Sequence, residues 1–377
     1  MDDPESPCSA RTKNGFRVLK AALVVSAAFM VTLFSLSGRY YGNYLTTIMP
    51  EEVSYPAWVE HLCPRYYYGI RRSTAGLLKL SWKPLTDDAI FFIQTSCARS
   101  LGSRQACVVE SAAHHHPHQP IRLLMTAPYI NHTHPLLQVL LGLRNVQMHW
   151  LDLDQVFVEE PLLSWHRDRY WYMNQVFLDI APATVSDAVR SELLRRMGGV
   201  FLDLDVITLR PLPARANWVG RLDHNQVSTA VANFTKNHRL LQMVVDAIPK
   251  AHDPRHCCTI GPALVTSYLH QLCPDNVTIP DATDPQTMES CDDIKIFNTH
   301  AFFPLSYVKE DILRLFKTRE GIGPQFLAST RAYTLHLYHS LTKSGRLITS
   351  SDSILEEAAR RNCPKVYKTI IENNLLL

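Results

Sequence analysis

The sequence predicts an α/β sheet domain behind an amino-terminal membrane anchor, and three observations predict it. Apolar strand-like runs alternate with helical segments from residue 88 to residue 210. That is the pattern of a sheet whose ligands gather at the carboxyl ends of its strands. An uncharged run from Ala21 to Gly38 comes before them, close to the roughly 17–25 residues a membrane helix needs. The segment Gly198-Gly-Val-Phe-Leu-Asp-Leu-Asp205 joins a glycine pair to a carboxylate pair on a strand-like stretch.

The 377 residues, 46% of them hydrophobic, suffice for a large core in one big domain or two moderate ones. A net charge of +3 without any block of like charge excludes nucleic acid as the natural partner. Arg11, Lys13, Arg17 and Lys20 precede the apolar run and only Arg39 follows closely. The positive-inside rule puts residues 1–20 in the cytosol, 21–38 in the membrane and the rest in a lumen. A cleaved signal peptide is the rival reading, with Ser35, Ser37 and Gly38 near a possible cleavage point, but the run is longer than the usual signal core. Either reading exports the remainder. Sequons at Asn131, Asn233 and Asn276 are glycosylation acceptors in that compartment. Of nine cysteines, Cys8 is cytosolic, leaving an even lumenal number that suits disulfides. Cys97 with Cys107 is the expected local pair.

Residues 39–85, with Pro50, Pro56, Pro64 and Pro84, have no sustained periodicity and read as a stem before a domain spanning 86–377. A buried strand begins at Asp88-Ala-Ile-Phe-Phe-Ile. A helix follows around Cys107–Ala113, then strands at Arg122–Met125 and Val146–Leu151. Ser186–Met197 is a helix with Ser186 as its expected N-cap, ended by Gly198-Gly199, and Val200–Leu209 is again a strand. Later helices are expected near Leu240–Ile248, Ala263–Leu272 and Ser353–Arg361.

On an extended strand Asp203 and Asp205 share a face. Two buried anions repel each other and lose hydration unless a cation joins them. A hard divalent metal is the natural partner, with a nucleotide diphosphate supplying further oxygens. The alternative is a strand-end turn with solvated carboxylates. Asp187 and Arg190 lie on one helix face, and an arginine there can fork onto hydroxyl or phosphate oxygens. The same tetrapeptide, Leu151-Asp-Leu-Asp154, lacks the glycine pair, so Asp152 or Asp154 reads as a helix N-cap. His114, His115, His116 and His118 suggest a metal tract, but no carboxylate or cysteine completes a set, so an exposed loop is expected. His336 alternates with apolar residues on a strand, the pattern of a core histidine.

Together, Val185-Ser-Asp-Ala-Val-Arg190, Leu193-Leu194 and the run from Gly198 to Leu212 resemble the α-1,4-glycosyltransferase family. Ile90–Ser96, Cys107–Ala113, Asn145–Met148, Gly261–Thr266, His300–Pro304 and His336–His339 extend the resemblance along the lumenal part. It implies a GT-A fold, a Rossmann-like sheet that binds a nucleotide sugar, with a donor part at 86–225 and a second part at 226–377. It further implies a single-pass type II Golgi protein, a UDP-sugar donor, and Mn²⁺ or another divalent metal. The implied activity is retaining α-1,4 transfer of galactose or an N-acetylhexosamine to a galactose-type glycolipid or glycan acceptor, such as lactosylceramide. By resemblance Asp203, Asp205 and His336 would hold the metal. Asp187, Arg190, Gly198, Gly199, Asp203 and Asp205 would bind the donor. Phe201 and Leu204 depart mildly from the family pattern. Gln226–Ala232, including Ser228 and Thr229, and Ile260 depart where amides are expected on the acceptor side. Those departures motivate an alternative, a catalytically weak or inactive Golgi homologue that binds or chaperones. An α-1,4-N-acetylglucosaminyltransferase acting on glycoprotein glycans is a further one. A glycoside hydrolase would place its carboxylates about 5–9.5 Å apart across a sugar, on separate elements.

Overall fold

Ile90-Phe-Phe-Ile-Gln94 is apolar at almost every position, as a strand covered on both faces must be. It forms β2, buried throughout and parallel to its neighbours on both sides. The computed structural model describes residue 62 and residues 75–82, 89–168, 180–256, 259–273, 287–343, 345 and 351–377. The tail at 1–20, the anchor at 21–38 and most of the stem lie outside the described residues. Among the described residues no helix is long and apolar enough to cross a membrane.

The chain leaves β2 (Ile90–Gln94) through helix α1 (Ser103–His115) into β3 (Ile121–Met125), and later into β5 (Val146–Trp150), each parallel to the last. Between them lie the short β4 (Tyr129–Ile130) and α2 (Pro135–Leu141), and after β5 come α3 (Leu153–Val156) and α4 (Leu162–Arg167). Helix α5 (Ala181–Met197) then carries the chain to β6 (Gly199–Leu202), on the other side of β2. After β7 (Val206–Thr208) come the neighbours β8 (Trp218–Arg221) and β9 (Val227–Phe234), helices α6 (Arg239–Ala251) and α7 (Pro262–Leu272), and the hairpin β10 (Met288–Cys291) and β11 (Ile294–Phe297). The sheet order is β10-β11-β8-β9-β6-β2-β3-β5, a mixed α/β sheet in which parallel pairs predominate. Its strand order reverses between β2 and β6, and ligands of open α/β sheets bind at such a switch point. The neighbours β8 and β9 straddle residue 225, so 86–225 and 226–377 share one sheet.

Several local expectations are corrected. Residues 75–82, inside the segment read as stem, contact the sheet domain. Ala75–Gly76 (β1) pairs with β4, Lys79 bonds Asp152 at 2.7 Å, and Leu80 is buried. Helix α5 starts at Ala181 rather than after Ser186, because Pro182 suits a first helical turn; Ser186 is interior. The strand expected from 200 to 209 breaks. The Val206 N–H donates to the Asp203 carbonyl at 3.1 Å, closing a turn over Asp203-Leu-Asp205. Strand β7 then leaves the main sheet to pair antiparallel with β12 (Thr334–His336). The two carboxylates therefore sit on a turn and not on one strand face.

Gly198 and Gly199 take φ of 70° and 94°, the region glycine enters without steric cost. A Cβ on Gly198 would lie 2.8 Å from the Lys236 nitrogen. Cys107 pairs with Cys363, not Cys97, which takes part in another disulfide. Cys107 lies fully buried on α1, where Cys363 joins α9 (Ile354–Asn362) to α10 (Pro364–Glu372). The bridge pins this carboxyl-terminal pair to the first helix, and the Glu110 carboxylate accepts from the Lys365 and Val366 N–H groups at 3.0 and 2.6 Å beside it. Cys273–Cys291 is a second bridge. Cys107→Ser is expected to cost about 2–4 kcal/mol. An unchanged Tm beside a clear fall for the reduced wild type would contradict that assignment.

Candidate active site

The turn at Asp203–Asp205 stands at the carboxyl end of β6, beside the switch point. Helix α5 presents Asp187 and Arg190 to it from one side, and β12 brings His336 from the other. Arg190 is the hub. Its guanidinium reaches Asp203 at 2.9 Å, Asp187 at 3.4 Å, Thr229 Oγ1 at 2.8 Å and Ser186 Oγ at 3.2 Å. It also lies over the Phe201 ring, 4.8 Å from its centroid. With so many partners it orders the carboxylates around it.

Asp205 is held from the opposite side. Its Oδ1 lies 3.2 Å from His336 Nε2, and its Oδ2 accepts from the His339 N–H at 2.7 Å. Its carbonyl accepts from the Leu337 N–H at 2.8 Å. Tyr338 makes that geometry possible. With φ of 48° and ψ of 59° it is left-handed, a conformation costing a bulky residue of order 1–3 kcal/mol. It turns the chain so that His339 faces Asp205. Its ring stands edge-on to His336 at 4.1 Å, with Phe303 edge-on at 5.5 Å. Phe303 and Leu305, whose carbonyl accepts from the Tyr338 hydroxyl at 2.9 Å, come from the segment after β11 and its following helix α8 (Thr299–Phe302). His336 Nδ1 is buried and has no hydrogen-bond partner among the described residues.

Three carboxylates meet one guanidinium and one imidazole here. Burial pushes Asp187 up to about 6, against Arg190 and assisted by Asp203. Burial also raises Asp203, opposed by Arg190 and reinforced by Asp205. Burial works against Asp205 as well, yet His336 and the His339 N–H bring it to about 2. Burial opposes a charge on His336, but Asp205 and Asp203 override it and raise the imidazole. Among the described residues, Asp203, Asp205 and His336 form the one group able to hold a metal ion, with ligand atoms all within 4.8 Å of one another. A cavity of about 600 Å³ opens beside them, lined by Asp203 and His336, by Gln94 at the end of β2 and Ser96 after it, and by Tyr307.

Not every residue singled out in the sequence reaches this cavity. Gly198 and Gly199 lie at the amino end of β6, the opposite end of that strand from Asp203, and are not among the cavity's lining residues. Asp152 caps α3, accepting from the Asp154 N–H at 3.3 Å, and Asp154 pairs with His166 at 2.8 Å. The expected loop of histidines is partly helix. His114 and His115 end α1, His115 bonds Asn362 at 2.8 Å, and His116 accepts from the Leu212 N–H at 3.1 Å. Asn131 follows β4 in a loop, Asn233 lies in β9 between two paired strands, and Asn276 is outside the described residues.

Two contributors are visible only in three dimensions. A Cβ on Gly261 would stand 2.6 Å from Asp187 Oδ2, so this glycine makes room for the carboxylate. Its place before Pro262 at the start of α7 was the available signal. Thr229, a departure from the family pattern, accepts from Arg190, while Ile260 is a core residue.

Comparison with known proteins supplies the class. The family described as a glycosyltransferase sugar-binding region containing a DXD motif matches residues 102–227, around Asp203-Leu-Asp205. The alpha 1,4-glycosyltransferase conserved region matches residues 233–370, around His336. The chain is a glycosyltransferase, an enzyme of the hexosyltransferase type. Its particular resemblance is to the α-1,4-glycosyltransferases. It is 27% identical over 290 residues to the human alpha-1,4-N-acetylglucosaminyltransferase, covering 75% of this chain and 81% of that protein. It is 25% identical over 287 residues to the rat lactosylceramide 4-alpha-galactosyltransferase, covering 74% and 75%. A solved galactosyltransferase, LgtC in complex with donor and acceptor sugar analogs, overlaps 74% of this chain and 95% of its own, at TM-score 0.37 and 12% identity.

Proposed function

We propose that the chain transfers galactose or an N-acetylhexosamine from a UDP-sugar to a galactose-type acceptor in α-1,4 linkage, with retention. Lactosylceramide is the representative acceptor. The domain would work as a GT-A enzyme in the Golgi lumen, held by the anchor at 21–38. The convergence of Asp203, Asp205 and His336 within 4.8 Å of one another, at the strand ends beside the switch point, carries the reading.

The donor set fits a divalent metal. Two carboxylates and an imidazole suit Mn²⁺, and the surplus of negative charge around Arg190 is what a cation would relieve. Asp203, Asp205 and His336 would hold it, and when bound it would neutralise charge developing on the diphosphate leaving group. Arg190 fixes the directions of Asp203 and Asp187. Asp187, facing the cavity, is placed to accept from donor-sugar hydroxyls. The acceptor hydroxyl oxygen bonds to the anomeric carbon on the face from which UDP departs, the bond from that carbon to the UDP oxygen breaks, and the hydroxyl proton passes to the departing diphosphate. The hydrogen bond from Arg190 to Thr229 weighs against the non-catalytic alternative, since this departure still serves the site.

Donor binding tests the reading directly. UDP at one hundred times its Kd should stabilise the full chain by about 2.7 kcal/mol, with Mn²⁺ present and not with chelator. A UDP shift that ignores chelation would sink the metal assignment. No UDP shift under any condition would sink the donor.

A further inference from the structure

The residues lining the cavity come from separated parts of the sheet. Gln94 and Ser96 line it at the switch point between β2 and β6, where a nucleotide belongs. Leu222 and Tyr307 line it beside the turn between β8 and β9, and β8 stands three strands from β2. Tyr307 remains 43% exposed.

Tyr307 is fixed at both ends. Its hydroxyl donates to Asp223 Oδ2 at 3.0 Å. The other Asp223 oxygen accepts from the Asn225 and Gln226 N–H groups at 2.7 and 3.0 Å, so the turn itself holds that carboxylate. The ring stands edge-on to Tyr338, centroids 6.4 Å apart, and Tyr338 stands edge-on to His336. The polar tip is already used, and that bond and the contact with Tyr338 set the ring's position. What remains to offer is an aromatic face with a negative quadrupole, two ring contacts from the metal triad. The apolar C–H face of a pyranose complements such a surface, and a ring ordered in advance loses little entropy on binding.

We propose that Tyr307 is the stacking platform for the acceptor hexopyranose and that Asp223 is its positioning residue. The proposal rests on the sugar-transfer reading above and names the acceptor end of the same site. Tyr307→Leu removes the π face while keeping apolar bulk. It should raise the KM for methyl β-galactoside at least tenfold, with donor KM and the slow hydrolysis of UDP-sugar by water unchanged. Tyr307→Phe keeps the ring and loses the tether, and should stay within about threefold of wild type. Asp223→Asn weakens the same tether, since an amide oxygen can still accept from the hydroxyl, and should cost no more than Tyr307→Phe.

A second readout is independent of turnover. Magnetisation transferred from the full chain to methyl β-galactoside, in the presence of UDP and Mn²⁺, should be present in wild type and lost in Tyr307→Leu, while the UDP thermal shift persists. An unchanged galactoside signal in Tyr307→Leu, none in wild type, or a donor KM rising as far as the acceptor KM would each overturn the platform. Loss of the UDP shift in wild type would instead overturn the transfer reading.

Discussion

Asp205→Asn should lower kcat/KM for sugar transfer by about 10²–10³-fold, the scale of losing one preorganised electrostatic contact in an active site. The substitution is nearly isosteric, and an amide oxygen can still accept from the His339 N–H that now meets the carboxylate at 2.7 Å. What disappears is charge. Asp205 titrates near 2, so it is an anion throughout the working range and the most firmly ionised of the three carboxylates. Without it His336 faces a neutral group, and the donor set falls to one carboxylate and one imidazole. Transfer at saturating Mn²⁺, together with the Mn²⁺ concentration for half activity, measures both effects. Asp154→Asn is the matched control. It alters the same Leu-Asp-Leu-Asp tetrapeptide at a half-exposed residue paired with His166, and activity should stay within twofold. Equal losses in the two variants would mean that the site is misassigned.

That control isolates how far local sequence could go. Leu-Asp-Leu-Asp occurs twice in the chain, and only neighbouring features separated the copies, namely the glycine pair and the Asp187/Arg190 helix. The helix did lead to the site. The glycine pair marked it without joining it, because positive φ is a local demand and does not say at which end of a strand a ligand sits. The strand expected through Asp205 breaks because a turn bond and the pairing of Val206 with His336 outweigh simple alternation. That pairing joins residues far apart in sequence, so alternation alone made His336 a core histidine, and only the family resemblance put it with Asp203 and Asp205. Ser186 is a sensible cap by residue type, yet its hydroxyl accepts from Arg190 inside α5. Disulfide choice failed for the same reason of distance. Cys107 and Cys363 are 256 residues apart, and only the packing of α1 against α9 and α10 brings them together.

The carboxylate cluster also has a cost, visible in the metal-free protein. Asp187 is almost wholly buried, and its carboxyl titrates near 6 instead of 3.8. Its folded form therefore holds a proton that the unfolded chain has already released between about pH 4 and pH 6. Where the folded state binds more protons, stability falls as pH rises. The full difference corresponds to about 3 kcal/mol, present below pH 4 and lost once pH passes 6. Asp187→Asn removes this titration, and Arg190 keeps Asp203, Thr229 and Ser186 as partners. In chelator the variant should be more stable than wild type at pH 8, by about 1–3 kcal/mol, with the advantage vanishing near pH 4. Transfer should nevertheless fall at least tenfold, since the amide cannot offer an anion to donor hydroxyls. Tm against pH for both proteins in chelator decides it, and parallel curves would show that Asp187 is not the strained group. A stabilised but inactive variant would place Asp187 among groups kept for function against the interest of the fold, and bound metal should narrow the gap by supplying the missing positive charge.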